Sequence, residues 1–133
     1  MSAKASAERP TPEQFLAEYP AAIQGLTCQL CAIVRDTMPH AVEAVYPGWK
    51  LIGYRVPDGG KTRYFCYVAP LADRVSLGFE YGVLMTNDTG LLEGAGSQVR
   101  YVAFRPGNTP DPAALAPLIA EAAAIAVTVR RNK

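Results

Sequence analysis

Two cysteines three residues apart, Cys28-Gln29-Leu30-Cys31, have the spacing of a redox pair or of half a zinc site. Redox chemistry places the reactive thiol at a helix amino terminus, where the dipole lowers its pKa, but these two fall about two turns into a helical pattern. Zinc needs roughly four ligands at fitting spacing, and only Cys66 and His40 remain, each alone. The pair therefore reads as packing thiols, Cys31 flanking an apolar stripe and Cys28 beside Arg35, with Cys66 a core filler within a strand. His40 is the sole histidine and follows Pro39 with no nucleophile motif beside it, which makes it a turn residue. The carboxylates are scattered singly, without the i, i+3 or i, i+4 pairs of an inward metal cluster. No nucleophile, base pair or cofactor loop survives, so the chain is not expected to be an enzyme, and neither a cofactor nor a metal is expected from these residues.

The run from Gly90 to Gly107, GLLEGAGSQVRYVAFRPG, carries four glycines around Glu93, Arg100 and Arg105. A phosphate-cradling loop needs a strand before it and a helix amino terminus after it, because the helix supplies free N–H groups and a positive dipole end. Here β-type residues follow, and neither a GxGxxG string nor a GxxxxGKS/T string is present. Gly90, Gly94 and Gly96 are expected to turn the chain into its last strand, with Glu93 and Arg100 holding that turn or facing a cleft.

Aromatic residues crowd the later half of the chain, and Arg55, Arg63, Arg74, Arg100 and Arg105 set a guanidinium on or near every expected strand. Core packing accounts for most of the rings, but a surplus on a face without helices would line a pocket or a dimer interface. The arginines either form cross-strand pairs with Glu80 and Glu93, or are simply solvated, or, if several converge, bind an anion. The candidate ligand-binding residues are Tyr46, Trp49, Tyr64, Glu93, Arg100 and Tyr101, with the aromatics giving contact area and Arg100 fixing an anionic group.

The elements that must position them follow from spacing. Residues 1 to about 10 are small, charged and non-periodic, which predicts a flexible tail before one domain over residues 11–130. Thr11 as a cap, Pro12 at the first helical position and Glu13 near the positive end predict a short helix stopping near Pro20. From Pro20 to Met38, Ile23, Leu26, Leu30, Val34 and Thr37 recur at helical steps, and Pro39 ends that second helix. HAVEAVYPG is expected to be a turn or short helix. WKLIGYRV and TRYFCYVAP form a hairpin about Asp58-Gly59-Gly60, RVSLGF alternates as a third strand, and QVRYVAFRP is a fourth. Asp111 caps and Pro112 opens an alanine-rich last helix whose inner face is Leu115, Leu118, Ile119, Ala122, Ala126 and Val129, with Pro117 marking its true start or bending its first turn. Helices segregated from antiparallel strands predict an α+β two-layer sandwich, with about four or more strands and the helices on one face.

With 133 residues, half of them apolar, one core can form without staples. A net charge of +1 disfavours nucleic acid and anionic lipid as partners. No apolar run is read as reaching the roughly 20 residues that span a bilayer, and the polar amino terminus has no hydrophobic segment behind it. These features predict a cytoplasmic protein with reduced thiols, whose partner is a small molecule or another protein, a second copy included.

MPHAVEAVYPGWKLIGY, YFCYVAP, VSLGF and above all Leu92-Glu93-Gly94-Ala95-Gly96 followed by Val99-Arg100-Tyr101-Val102 resemble the YdhG-like domain family, a bacterial group long described as a domain of unknown function. The resemblance runs from about Pro12 to Ala126. It implies a compact α+β fold similar to the frataxin and YjbR group, and an alternative role as a frataxin-like intracellular iron chaperone. That role would draw on scattered carboxylates and His40, whereas frataxin-type binding uses an acidic ridge, and here only Glu8, Glu13 and Glu18 lie near the first helix.

Overall fold

A computed structural model describes residues 9–131, with side chains described as far as 129. The tail expected over residues 1–10 lies, for residues 1–8, outside the described residues. Helix α1 (Pro12–Leu16) opens with a reciprocal cap. The Gln14 N–H donates to Thr11 Oγ1 at 3.1 Å, and the Thr11 N–H donates to Gln14 Oε1 at 2.9 Å, which satisfies two of the amides that a helix start leaves without partners. Helix α2 (Ala21–Thr37) buries the expected stripe of Ile23, Leu26, Leu30 and Val34. Its remaining expected member, Thr37, is half-buried and turns its hydroxyl back to the Ile33 carbonyl.

Five strands follow: β1 (Val42–Tyr46), β2 (Leu51–Asp58), β3 (Lys61–Pro70), β4 (Val75–Phe79) and β5 (Arg100–Phe104). They form one antiparallel sheet in chain order, so β1 and β5 are its edges. The HAVEAVYPG segment is thus a strand rather than a turn or short helix. Its alternation is disguised because the inward position Glu43 is a carboxylate, made acceptable there by partners of its own. Tyr54 donates its buried hydroxyl to Glu43 Oε2 at 2.6 Å, and Arg35 of α2 donates from Nε at 2.9 Å.

Helix α3 (Pro112–Arg131) returns over the same sheet face as α2. It begins at Pro112 and runs through Pro117, so that proline is not its start. Leu115, Leu118, Ile119, Ala122 and Ala126 are buried as expected, while Val129 is only half-buried. By length and hydropathy alone, Pro112–Val129 would suffice to cross a bilayer, contrary to the reading that no such run exists; here its inner face packs on the sheet. The core lies between these helices and Ile52, Tyr54, Phe65, Cys66, Val68, Leu77 and Phe79. Each such large apolar side chain contributes about 1.5–3 kcal/mol when fully buried. The architecture is the expected α+β two-layer sandwich.

One irregularity decides what the other face carries. The β2–β3 register slips between Tyr54 and Arg55, so Tyr54 faces Cys66 while Arg55 faces Tyr64. Phe65 is the extra residue of a β-bulge and is wholly buried. Strict alternation would put Tyr64 and Tyr67 on opposite faces. The bulge puts both on the face without helices.

Candidate functional site

On that open face the strands alternate in content. Tyr46 stands on β1, Tyr64 and Tyr67 on β3 and Tyr101 on β5, whereas the intervening β2 and β4 offer Gly53 and Gly78. Ring atoms fill the space over the glycines. A Cβ at Gly53 would come 2.6 Å from Tyr46 Cε2 and 2.8 Å from Tyr64 Cε1, and one at Gly78 would collide with the Tyr67 ring. Both glycines are needed because rings occupy the space a side chain would take.

The turn between β1 and β2 adds a further ring, Trp49. Trp49 N–H donates to Tyr46 O at 3.1 Å and Lys50 N–H to Pro47 O at 3.2 Å, with Lys50 in the left-handed region at φ 59°. This tight reversal folds Trp49 back over Tyr46, with centroids 5.4 Å apart and planes 25° apart. Tyr64 stands edge-on to both, at 6.3 Å and 82° from Tyr46 and at 6.4 Å and 62° from Trp49. Trp49 nevertheless stays 67% exposed. The Arg9 guanidinium sits 5.0 Å from the Tyr46 ring centroid and donates to the Val45 carbonyl on the β1 edge.

Beside the cluster lies a cleft of about 490 Å³ lined by Tyr46, Trp49, Leu51, Arg55, Tyr64, Tyr67 and Glu80. A smaller one of about 280 Å³ shares Arg55, Tyr64 and Glu80 and adds Thr62, Arg63 and Tyr81. Arg55 donates from Nε to Thr62 Oγ1 at 2.8 Å and from Nη2 to Thr62 O at 3.2 Å. Glu80 accepts from Gln98 Nε2 at 3.0 Å. Burial pushes the Glu80 carboxyl above its ordinary pKa, and the Gln98 bond partly counters this. The Tyr64 and Tyr67 hydroxyls are pushed up by burial first and then by the Glu80 charge.

The six residues singled out in the sequence therefore separate. Tyr46, Trp49 and Tyr64 meet in one cluster. Glu93 and Arg100 belong to the turn at the β5 edge, about 19 Å across the sheet from β1 at the usual strand spacing. Glu93 and Tyr101 exchange backbone hydrogen bonds of 2.7 and 3.0 Å, and Arg100 Nη1 donates to the carbonyls of Gly96 at 2.7 Å and Val99 at 2.8 Å. Arg100 thus closes its own loop through Nη1. Gly90 and Gly94 take the positive φ values of a sharp turn, 72° and 120°, and Gly96 does not. Tyr101 keeps its place on the open face, across Gly78 from Tyr67.

The cross-strand pairs with Glu80 and Glu93 do not form among the described residues. Among those residues the ion pairs are Arg35–Glu43, Arg63–Asp58 and Arg105–Asp73. Arg55 and Glu80 had no local sequence signal to mark them as neighbours in one cleft. Tyr67 was one aromatic among many until the bulge fixed its face.

The cysteines and His40 lie elsewhere. Cys28 is exposed, while Cys31 and Cys66 are buried, and burial pushes the Cys31 thiol up to about 12. His40 is an exposed turn residue. Among the described residues no three His, Cys, Asp or Glu side chains gather where a metal ion would fit. No protein-family model, curated protein or solved structure matches this chain.

Proposed function

We propose that this domain is a non-enzymatic, cytoplasmic binding module of the YdhG-like kind, which holds a small molecule in the cleft on its helix-free sheet face. The observation that carries the reading is the exposed Trp49, fixed by stacking on Tyr46 and by the edge of Tyr64, at the rim of a cleft containing Arg55 and Glu80. Small-molecule sites combine aromatic walls with a few placed polar groups in a volume of roughly 300–1,000 Å³, and this cleft has both ingredients. An aromatic held rigidly at the surface gives contact area at little cost in side-chain entropy.

A fragment library screened by amide chemical-shift mapping tests this. Shifts should concentrate on Tyr46, Trp49, Tyr64, Tyr67 and Glu80, and Trp49→Ala should weaken the hits about tenfold or more. Hits confined to the helical face, or unaffected by the Trp49 substitution, would refute it.

A further inference from the structure

Arg55 and Glu80 line the same cleft with opposite charges, yet they form no ion pair with each other or with any other described residue. Each is held by one neutral neighbour, Arg55 by Thr62 and Glu80 by Gln98. Those bonds use Nε and Nη2 of the guanidinium and Oε2 of the carboxylate. Arg55 Nη1 and Glu80 Oε1 make no hydrogen bond among the described residues. The cleft therefore presents a fixed donor cation and a fixed acceptor anion, separated from one another and flanked by the rings of Trp49, Tyr64 and Tyr67.

We propose that the cleft binds a small zwitterion of the α-amino-acid class, its ammonium group on Glu80, its carboxylate on Arg55 and its apolar side chain on Trp49. This rests on the reading of the open face as a binding surface and names the ligand chemistry. A lone amine would meet the repulsion of Arg55 and a lone carboxylate that of Glu80, so only a ligand with both charges turns each side chain into an attraction. The tyrosine faces add to the hold on the ammonium, as the Tyr46 face already does for the Arg9 guanidinium. Burial also disfavours the charged form of Glu80, and an ammonium group beside it restores that form.

Trp49 is the only tryptophan, so its emission reports on the cleft directly. The probes are L-phenylalanine and its two half-charged analogues, 2-phenylethylamine and 3-phenylpropionate. L-Phenylalanine should shift the emission saturably, and each analogue should bind at least about tenfold more weakly, since each loses a charge-assisted contact. Glu80→Gln should reduce L-phenylalanine to the affinity of 3-phenylpropionate, and Arg55→Gln should reduce it to that of 2-phenylethylamine, with unchanged circular dichroism confirming the fold of both. An analogue that binds as tightly as L-phenylalanine, or variants that leave its affinity unchanged, would overturn the zwitterion assignment while the binding face stands. Emission unmoved by L-phenylalanine would overturn it too, and the fragment map above then decides separately whether the face binds anything.

Discussion

Replacing Gly78 with alanine places a methyl group inside the Tyr67 ring, which lies across that glycine on the open face. The ring must swing away or the sheet must shift, and such overpacking costs about 1–3 kcal/mol. Alanine in a strand regains about 0.5–1 kcal/mol of the conformational entropy that glycine loses on folding. At the middle of each range the net loss is about 1.3 kcal/mol. With 133 residues unfolding at about 2.1 cal/mol/K each, that lowers the melting temperature by about 4–5 °C. Urea unfolding of four proteins measures it: the wild type, Gly78→Ala, Tyr67→Ala and the double variant. Once Tyr67 is truncated the methyl group has room, so Gly78→Ala should change sign and stabilise by about 0.5–1 kcal/mol. An equal cost in both backgrounds would refute the reasoning, because the clash would then lie with something other than the ring. Gly82→Ala is the contrasting case. Its new Cβ would meet the Arg100 backbone, with N at 2.6 Å and Cα at 2.9 Å, and it should cost more than Gly78→Ala because backbone cannot rotate out of the way.

Iodoacetamide at mildly alkaline pH should modify Cys28 alone in the native protein and all three thiols in denaturant, read by intact mass; burial keeps Cys66 shielded and Cys31, pushed up to about 12, protonated. Tyr54→Phe removes the hydroxyl that bonds Glu43 from inside the core and should cost about 1.5–3 kcal/mol in urea unfolding, while an unchanged midpoint would mean the bond contributes nothing. Glu80 titrates in the folded state above its ordinary value of 4.5, so the folded protein binds more protons there than the unfolded chain. Its contribution is neutral below the unfolded pKa and becomes unfavourable as pH rises through the folded one. Relative to wild type, Glu80→Gln should accordingly gain stability from about pH 4.5 upward and then level off, and a difference that stays flat with pH would exclude burial of that carboxylate.

How much of this could be read from residues alone depended on whether local pattern and tertiary placement agreed. The β2–β3 hairpin was legible because Gly59 and Gly60 mark its turn, with Gly59 taking the positive φ of 66°, and the apolar stripes of α2 and α3 repeat at helical steps. Strand β1 was not, because Glu43 occupies an inward position and its compensation comes from Arg35 and Tyr54, distant in sequence. The candidate site was half legible. Tyr46, Trp49 and Tyr64 do meet, since a short turn and two neighbouring strands of the sheet bring them together. Glu93 and Arg100 sit at the opposite edge, engaged in holding their own turn. Glu80 and Tyr67 joined the site through the register of β3 against β2 and β4, and a bulge leaves no signature in a period-two pattern.

Rings seated against glycines have a kinetic and entropic corollary. A tyrosine standing upright on a sheet samples several rotamers and must give them up when a ligand arrives, at about 0.5–1.5 kcal/mol for each side chain immobilised. Tyr46, Tyr64 and Tyr67 are instead confined by the backbone hollows at Gly53 and Gly78 as the chain folds. These rings are consequently held in place before any encounter. Association should therefore need no rearrangement of them, and affinity should be tuned mainly through dissociation.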